Sequence, residues 1–135
     1  MFKTQRQVQW RDTDAAGIMH FSVFFTYMEE AEHELLRSVS LTVSMTDEEQ
    51  HISFPRVSAK CDYLRPVRFE DVLDIEVTVA RIGDKSITYD VCFKHNSNEV
   101  AKGSITAVCC RVDCHPPQSV SIPSGISDKL KSFLK

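Results

Sequence analysis

Residues 10–21 read WRDTDAAGIMHF. Before them, residues 2–11 alternate, with Phe2, Val8 and Trp10 on one face and Lys3, Gln7, Gln9 and Arg11 on the other, which predicts a strand. After them, from Ser22, the period changes. Val23, Phe24, Tyr27, Met28, Ala31, Leu35 and Leu36 recur at helical spacing, while Thr26, Glu29, Glu30, Glu32, His33 and Arg37 fill the other side. The quoted stretch is therefore a strand-to-helix turn that carries Asp12, Asp14 and Gly17 to the place where a helix begins. Acidic groups there complement the helix dipole and its unpaired N–H groups. The same place also suits a carboxylate that acts as a base beside an oxyanion site.

Working outward, the helix is expected to run from an N-cap at Ser22 to about Val39. TDEEQ, residues 46–50, has the capping-box spacing from Thr46 to Glu49 and predicts a short helical turn. Strand-like segments follow near 53–65, 71–82, 85–95 and 99–112, rich in Val, Ile, Phe and Tyr. IGDKS (82–86) and HNSNE (95–99) hold the Gly and Asn that hairpins use, and Pro66 belongs in a connection. PSGISDKLKSFLK (123–135) predicts a short closing helix capped by Ser127, with Leu130, Phe133 and Leu134 as apolar contacts. The class is α+β: a five-stranded antiparallel sheet with one long helix buried against it. One helix leaves a sheet face and the sheet edges uncovered, which predicts self-association.

Length and charge narrow the rest. A chain of 135 residues is expected to form one domain, 1–135, with 42% hydrophobic and 26% charged residues. A net charge of −3 gives no general attraction to nucleic acid or anionic membrane. No apolar run reaches the roughly 20 residues of a membrane span. The opening MFKTQRQVQW has no apolar signal core, so a cytoplasmic location is expected. Cysteines 61, 92, 109, 110 and 114 are odd in number, which favours free thiols. CCRVDCH offers His115 as a fourth ligand, but adjacent Cys109 and Cys110 in a strand point to opposite faces, and no metal is expected.

The element order, with DTDAAGI before the long helix, resembles the hotdog-fold thioesterases, especially the 4-hydroxybenzoyl-CoA thioesterase type and its Tol-Pal-associated relatives. The pattern is carried by Asp12, Thr13, Asp14, Gly17, Ile18, Met19 and Phe21 and continues in RPVRFEDVLDIEV (65–77) and KSITYDV (85–91). The resemblance implies a sheet wrapped around the helix, dimers that extend the sheet, and often tetramers. It implies hydrolysis of an acyl-CoA, or of an acyl carrier protein thioester, with no cofactor because coenzyme A is part of the substrate. Asp14 takes the position of the catalytic carboxylate, as base or as nucleophile, and the Phe21 backbone N–H that of the oxyanion donor. Gly17 would let the turn approach the substrate.

His20 departs from the pattern, because Tol-Pal relatives place a histidine one residue later; it is read either as orienting substrate or as structural. Asp12 is expected to brace the loop or to pair with Arg11. Glu29 and Glu30 stand where other hotdog lineages place an alternative carboxylate on this helix, and are read first as a solvated or interface face. Lys85 is the first cation expected for the coenzyme A phosphates, with Arg56, Lys60, Arg65 and Arg81 as further candidates. Two alternatives stand beside hydrolysis: a hotdog hydratase or dehydratase pairing Asp14 with His20, and a non-catalytic acyl-CoA-binding module.

Overall fold

The structure, a computed structural model, describes every residue except Glu48 and Glu49, and at Asp47 the backbone alone. Its strands are β1 (Phe2–Gln7), β2 (Ser44–Asp47), β3 (Gln50–Ser53), β4 (Arg56–Tyr63), β5 (Val72–Ile82), β6 (Ser86–His95), β7 (Asn98–Val108), β8 (Cys110–Arg111) and β9 (Gln118–Ser119). The helices are α1 (Phe21–Ser38) and α2 (Ser124–Leu130), with 3-10 turns at Trp10–Asp12 and Lys131–Phe133. Five strands form one sheet in the order β1-β5-β6-β7-β4, and every pairing in it is antiparallel. A smaller sheet joins β2, β3, β8 and β9.

Helix α1 forms because its 18 residues contain no Pro or Gly and repeat apolar side chains on one face. It stops at Ser40, which adopts a left-handed φ of 61°, while the Leu41 N–H returns to the Leu36 carbonyl at 2.8 Å. The buried face is Phe24, Tyr27, Met28, Ala31, Leu35 and Leu36. It packs on alternate residues of the large sheet, among them Leu73, Ile75 and Val77 of β5 and Tyr89, Val91 and Phe93 of β6. Burying each large apolar side chain contributes about 1.5–3 kcal/mol, so this face anchors the helix. Gly103 on β7 makes the approach close, because a Cβ there would overlap Met28 Sδ.

Several local expectations change. Trp10 is 74% exposed rather than on the Phe2 and Val8 face, because β1 ends at Gln7 and the following 3-10 turn breaks the alternation. The cap of α1 is His20, not Ser22, which already lies inside the helix. Thr46 lies in β2, paired with His51, rather than capping a helical turn; Glu49, the other end of that capping box, lies outside the described residues. Helix α2 begins at Ser124 after Pro123, and Ser127 bonds back to the Ser124 carbonyl from within it. The segment expected as one strand over 99–112 is divided, with β7 in the large sheet and β8 in the small one. Glu32, assigned to the polar side of α1, is 2% exposed. The second helix, α2, lies in the segment expected to hold the short closing helix.

Candidate active site

The loop from Thr13 to His20 is held from three directions. Within it, the Asp14 N–H donates to the Ile18 carbonyl at 3.0 Å and the Gly17 N–H to the Asp14 carbonyl at 2.9 Å. Gly17 has φ +78°, a conformation that costs a side-chain-bearing residue steric strain, so glycine closes this turn. Towards the sheet, the Met19 N–H donates to the Val67 carbonyl at 2.6 Å. Towards the start of the loop, the His20 N–H donates to the Asp12 carbonyl at 2.9 Å.

Asp14 is exposed, and its Oδ1 accepts the Ala16 N–H at 2.8 Å. That bond orients the carboxylate and leaves Oδ2 without a partner among the described residues. The Phe21 N–H, the first of α1, has no acceptor among the described residues either. A cleft of about 380 Å³ is lined by Asp14, Ile18, Phe21, Phe24, Tyr63, Arg65 and Val67. Tyr63 closes one wall. Its hydroxyl donates to the Phe21 carbonyl at 3.0 Å, and its ring meets Phe24 edge-on at 5.1 Å. Phe24 in turn stands edge-on to the fully buried Phe93 at 5.2 Å, so the aromatic floor continues into the core.

His20 serves the helix. Its Nδ1 accepts the Ser22 N–H at 3.3 Å and lies 2.8 Å from Ser22 Oγ, while its ring stacks on Phe21 at 4.5 Å. Nδ1 is thus engaged in capping the helix. Asp12 braces the loop: its Oδ2 accepts the Tyr27 hydroxyl at 2.7 Å and the Gln9 N–H at 3.0 Å. Burial and this bond to a carboxylate push the Tyr27 phenol well above its ordinary pKa. Sequence reasoning missed the Asp12–Tyr27 bond, since Tyr27 fits the apolar helical pattern as well as any aromatic.

The expected cations separate. Arg65 alone lines the cleft. Lys60, in mid-β4, borders a larger depression of about 700 Å³ together with Lys94, Lys102, Glu76 and Glu99. That depression holds none of Asp14, Gly17, His20 or Phe21. Lys85 precedes β6, whose first residue Ser86 pairs with Val108; Arg56 pairs with Ala107 beside it. Both are therefore at the opposite end of β4 from Tyr63, which is paired with Ala101. Arg56 is further committed to Glu32 on α1. Of the alternative carboxylates, Glu29 is exposed and Glu30 pairs with Arg6 at 2.9 Å.

A family model described as the thioesterase-like superfamily matches residues 8–130. The chain belongs to this superfamily. It has the hotdog thioesterase fold, an antiparallel sheet with a helix. A 1,4-dihydroxy-2-naphthoyl-CoA hydrolase from Nostoc punctiforme is 31% identical over 133 residues, 97% of this chain and 87% of that one. The acyl-CoA thioesterase YbgC of Haemophilus influenzae is 25% identical over 120 residues, covering 89% and 87%. Among solved structures, the gentisyl-coenzyme A thioesterase BH1999 superposes with a TM-score of 0.82 at 26% identity, covering 95% and 98%.

Proposed function

We propose that this superfamily member hydrolyses an acyl-CoA thioester to a free carboxylic acid and coenzyme A, with Asp14 as the reacting carboxylate. One observation carries the reading: Asp14, whose carboxylate is oriented through one oxygen, and Phe21, whose N–H has no acceptor among the described residues, line one largely apolar cleft. The thioester carbonyl would lie between them, its oxygen on the Phe21 N–H, where developing negative charge meets a helix N-terminus. Asp14 Oδ2 then activates a water or attacks the carbonyl carbon. The acyl group would enter the aromatic floor of Phe24 and Tyr63. The names of the relatives, acyl-CoA thioesterase and 1,4-dihydroxy-2-naphthoyl-CoA hydrolase, support the same chemistry.

Arg65, at the cleft, is the proposed cation for the coenzyme A end, and no cofactor or metal is required. We read residues 1–135 as one cytoplasmic domain whose sheet curves around α1, and the assembly as a homodimer or homotetramer. Strand β4 supports self-association. It is a sheet edge with little buried surface, and Val57 (64%) and Tyr63 (45%) on it and Leu64 (53%) just after it are exposed. Incubating the protein with saturated aromatic, short and long acyl-CoAs and an enoyl-CoA, with thiol release as the readout, tests the reaction. Hydration of the enoyl group without thiol release would overturn it.

A further inference from the structure

The proposed reaction needs Asp14 and the Phe21 N–H at a fixed separation, yet they belong to different elements, a loop and a helix. Between them the contacts converge on Asp12. Its backbone carbonyl accepts the N–H of His20, the residue before Phe21, at 2.9 Å. Its side-chain Oδ2 accepts the hydroxyl of Tyr27, which lies two turns into α1 and is 6% exposed, at 2.7 Å. The same oxygen accepts the Gln9 N–H at 3.0 Å and closes the 3-10 turn that leads into the loop. Asp12 is therefore bonded at two points to the element carrying the oxyanion donor, and it stands two residues from Asp14. A phenol donating to a carboxylate is a charge-assisted bond, and Tyr27, its donor, is buried.

From this geometry we infer that Asp12 and Tyr27 form a strut that sets the distance between Asp14 and the Phe21 N–H. The inference rests on the hydrolase reading. Both are positioning residues: neither lines the cleft, and neither reaches the space where the thioester would react. A misplacement of about 1 Å between reacting groups costs on the order of 10²-fold in rate, so loosening the strut acts on kcat. Substrate affinity, set by the cleft walls and Arg65, stays.

The test compares wild type with Tyr27→Phe, Asp12→Ala and the double variant, measuring kcat and KM for an acyl-CoA well below each melting temperature. Tyr27→Phe keeps the ring in the core and removes only the hydroxyl, so it reports even where Asp12→Ala folds poorly. The expected result is a kcat reduced about 10- to 100-fold with KM within about twofold. The double variant should be no slower than Asp12→Ala alone, because the shared bond is already absent. Asp12→Asn, which keeps an acceptor oxygen, should recover part of the rate. Tyr27→Phe with wild-type kcat and only a lowered Tm would overturn the strut while leaving the hydrolase reading intact. Wild type without thiol release on any acyl-CoA would remove the hydrolase reading and the strut together, and that outcome appears before any variant is made.

Discussion

The guanidinium of Arg56, at the first residue of β4, donates to the carboxylate of Glu32 inside α1, where Glu32 is 2% exposed. Arg56 also donates to the Phe54 carbonyl at 2.7 Å and lies 3.4 Å from His33 Nε2. Glu32 Oε2 is buried and has no partner among the described residues. Burial pushes the Glu32 carboxyl up to about 7, against the opposing pull of Arg56 and with Glu29 adding repulsion. The pair ties the edge strand to the helix, and it carries two consequences for stability.

The first concerns pH. An ordinary glutamate ionises near 4.5, so between about pH 4.5 and 7 the folded protein holds a proton that the unfolded chain has lost. Stability from this group is fully present below about 4.5, falls as pH rises through 7, and is flat above. The total is about 3 kcal/mol. Glu32→Gln removes the titration, so the difference between the two stability curves should slope across that window. A difference independent of pH from 4 to 8 would sink this account.

Arg56→Met should destabilise strongly at pH 8, by about 3–5 kcal/mol, because it leaves a buried carboxylate uncompensated. At pH 5 the cost should shrink, since Glu32 then carries a proton. The KM for acyl-CoA should not move, because Arg56 faces α1 at the far end of β4 from the cleft. Urea unfolding at both pH values, with steady-state kinetics on the folded variant, checks both statements.

For Asp14→Asn the expected loss in kcat is about 10²–10⁴-fold with KM close to wild type. The amide oxygen can still accept the Ala16 N–H, so the turn keeps its shape while the base or nucleophile is gone. A kcat near wild type, with a stability loss of about 1 kcal/mol, would mean that Asp14 only supports the helix end.

Gly17→Ala tests the turn itself. Nothing lies within 4 Å of the added methyl, so the penalty comes from φ +78° alone and should be about 1–2 kcal/mol. If the loop relieves that strain by moving Asp14, kcat falls as well, and a lower melting temperature with unchanged kcat would show that the loop absorbs it elsewhere.

Arg65→Ala should raise the KM for acyl-CoA about two- to fivefold at low salt, as an exposed charge contact does, and the effect should fade as ionic strength rises. The same substitution at Lys85 serves as the comparison. An equal or larger effect there would move the cation role away from the cleft in the same chain.

The order of strand, turn, helix and hairpins was legible in the sequence because it depends on period, and period is a local property. Phe24, Tyr27, Met28, Ala31 and Leu35 can share a face only in a helix, and the Val- and Ile-rich segments divided by IGDKS and HNSNE can pair only as hairpins. Asp14, Gly17 and Phe21 could likewise be proposed from sequence as a candidate site, since the chemistry they would offer comes from adjacency in one turn. Tertiary structure decided what adjacency cannot. Glu32 looked polar and solvated until β4 brought Arg56 over it, and Arg56 looked like a phosphate ligand until α1 claimed it. Tyr27 counted as one more apolar residue, yet Asp12 turns its hydroxyl into the link between loop and helix. Of the five cations proposed from sequence, only Arg65 meets the cleft. A side chain's partner is set by which elements are packed together, and that depends on the whole sheet rather than on any window of the chain.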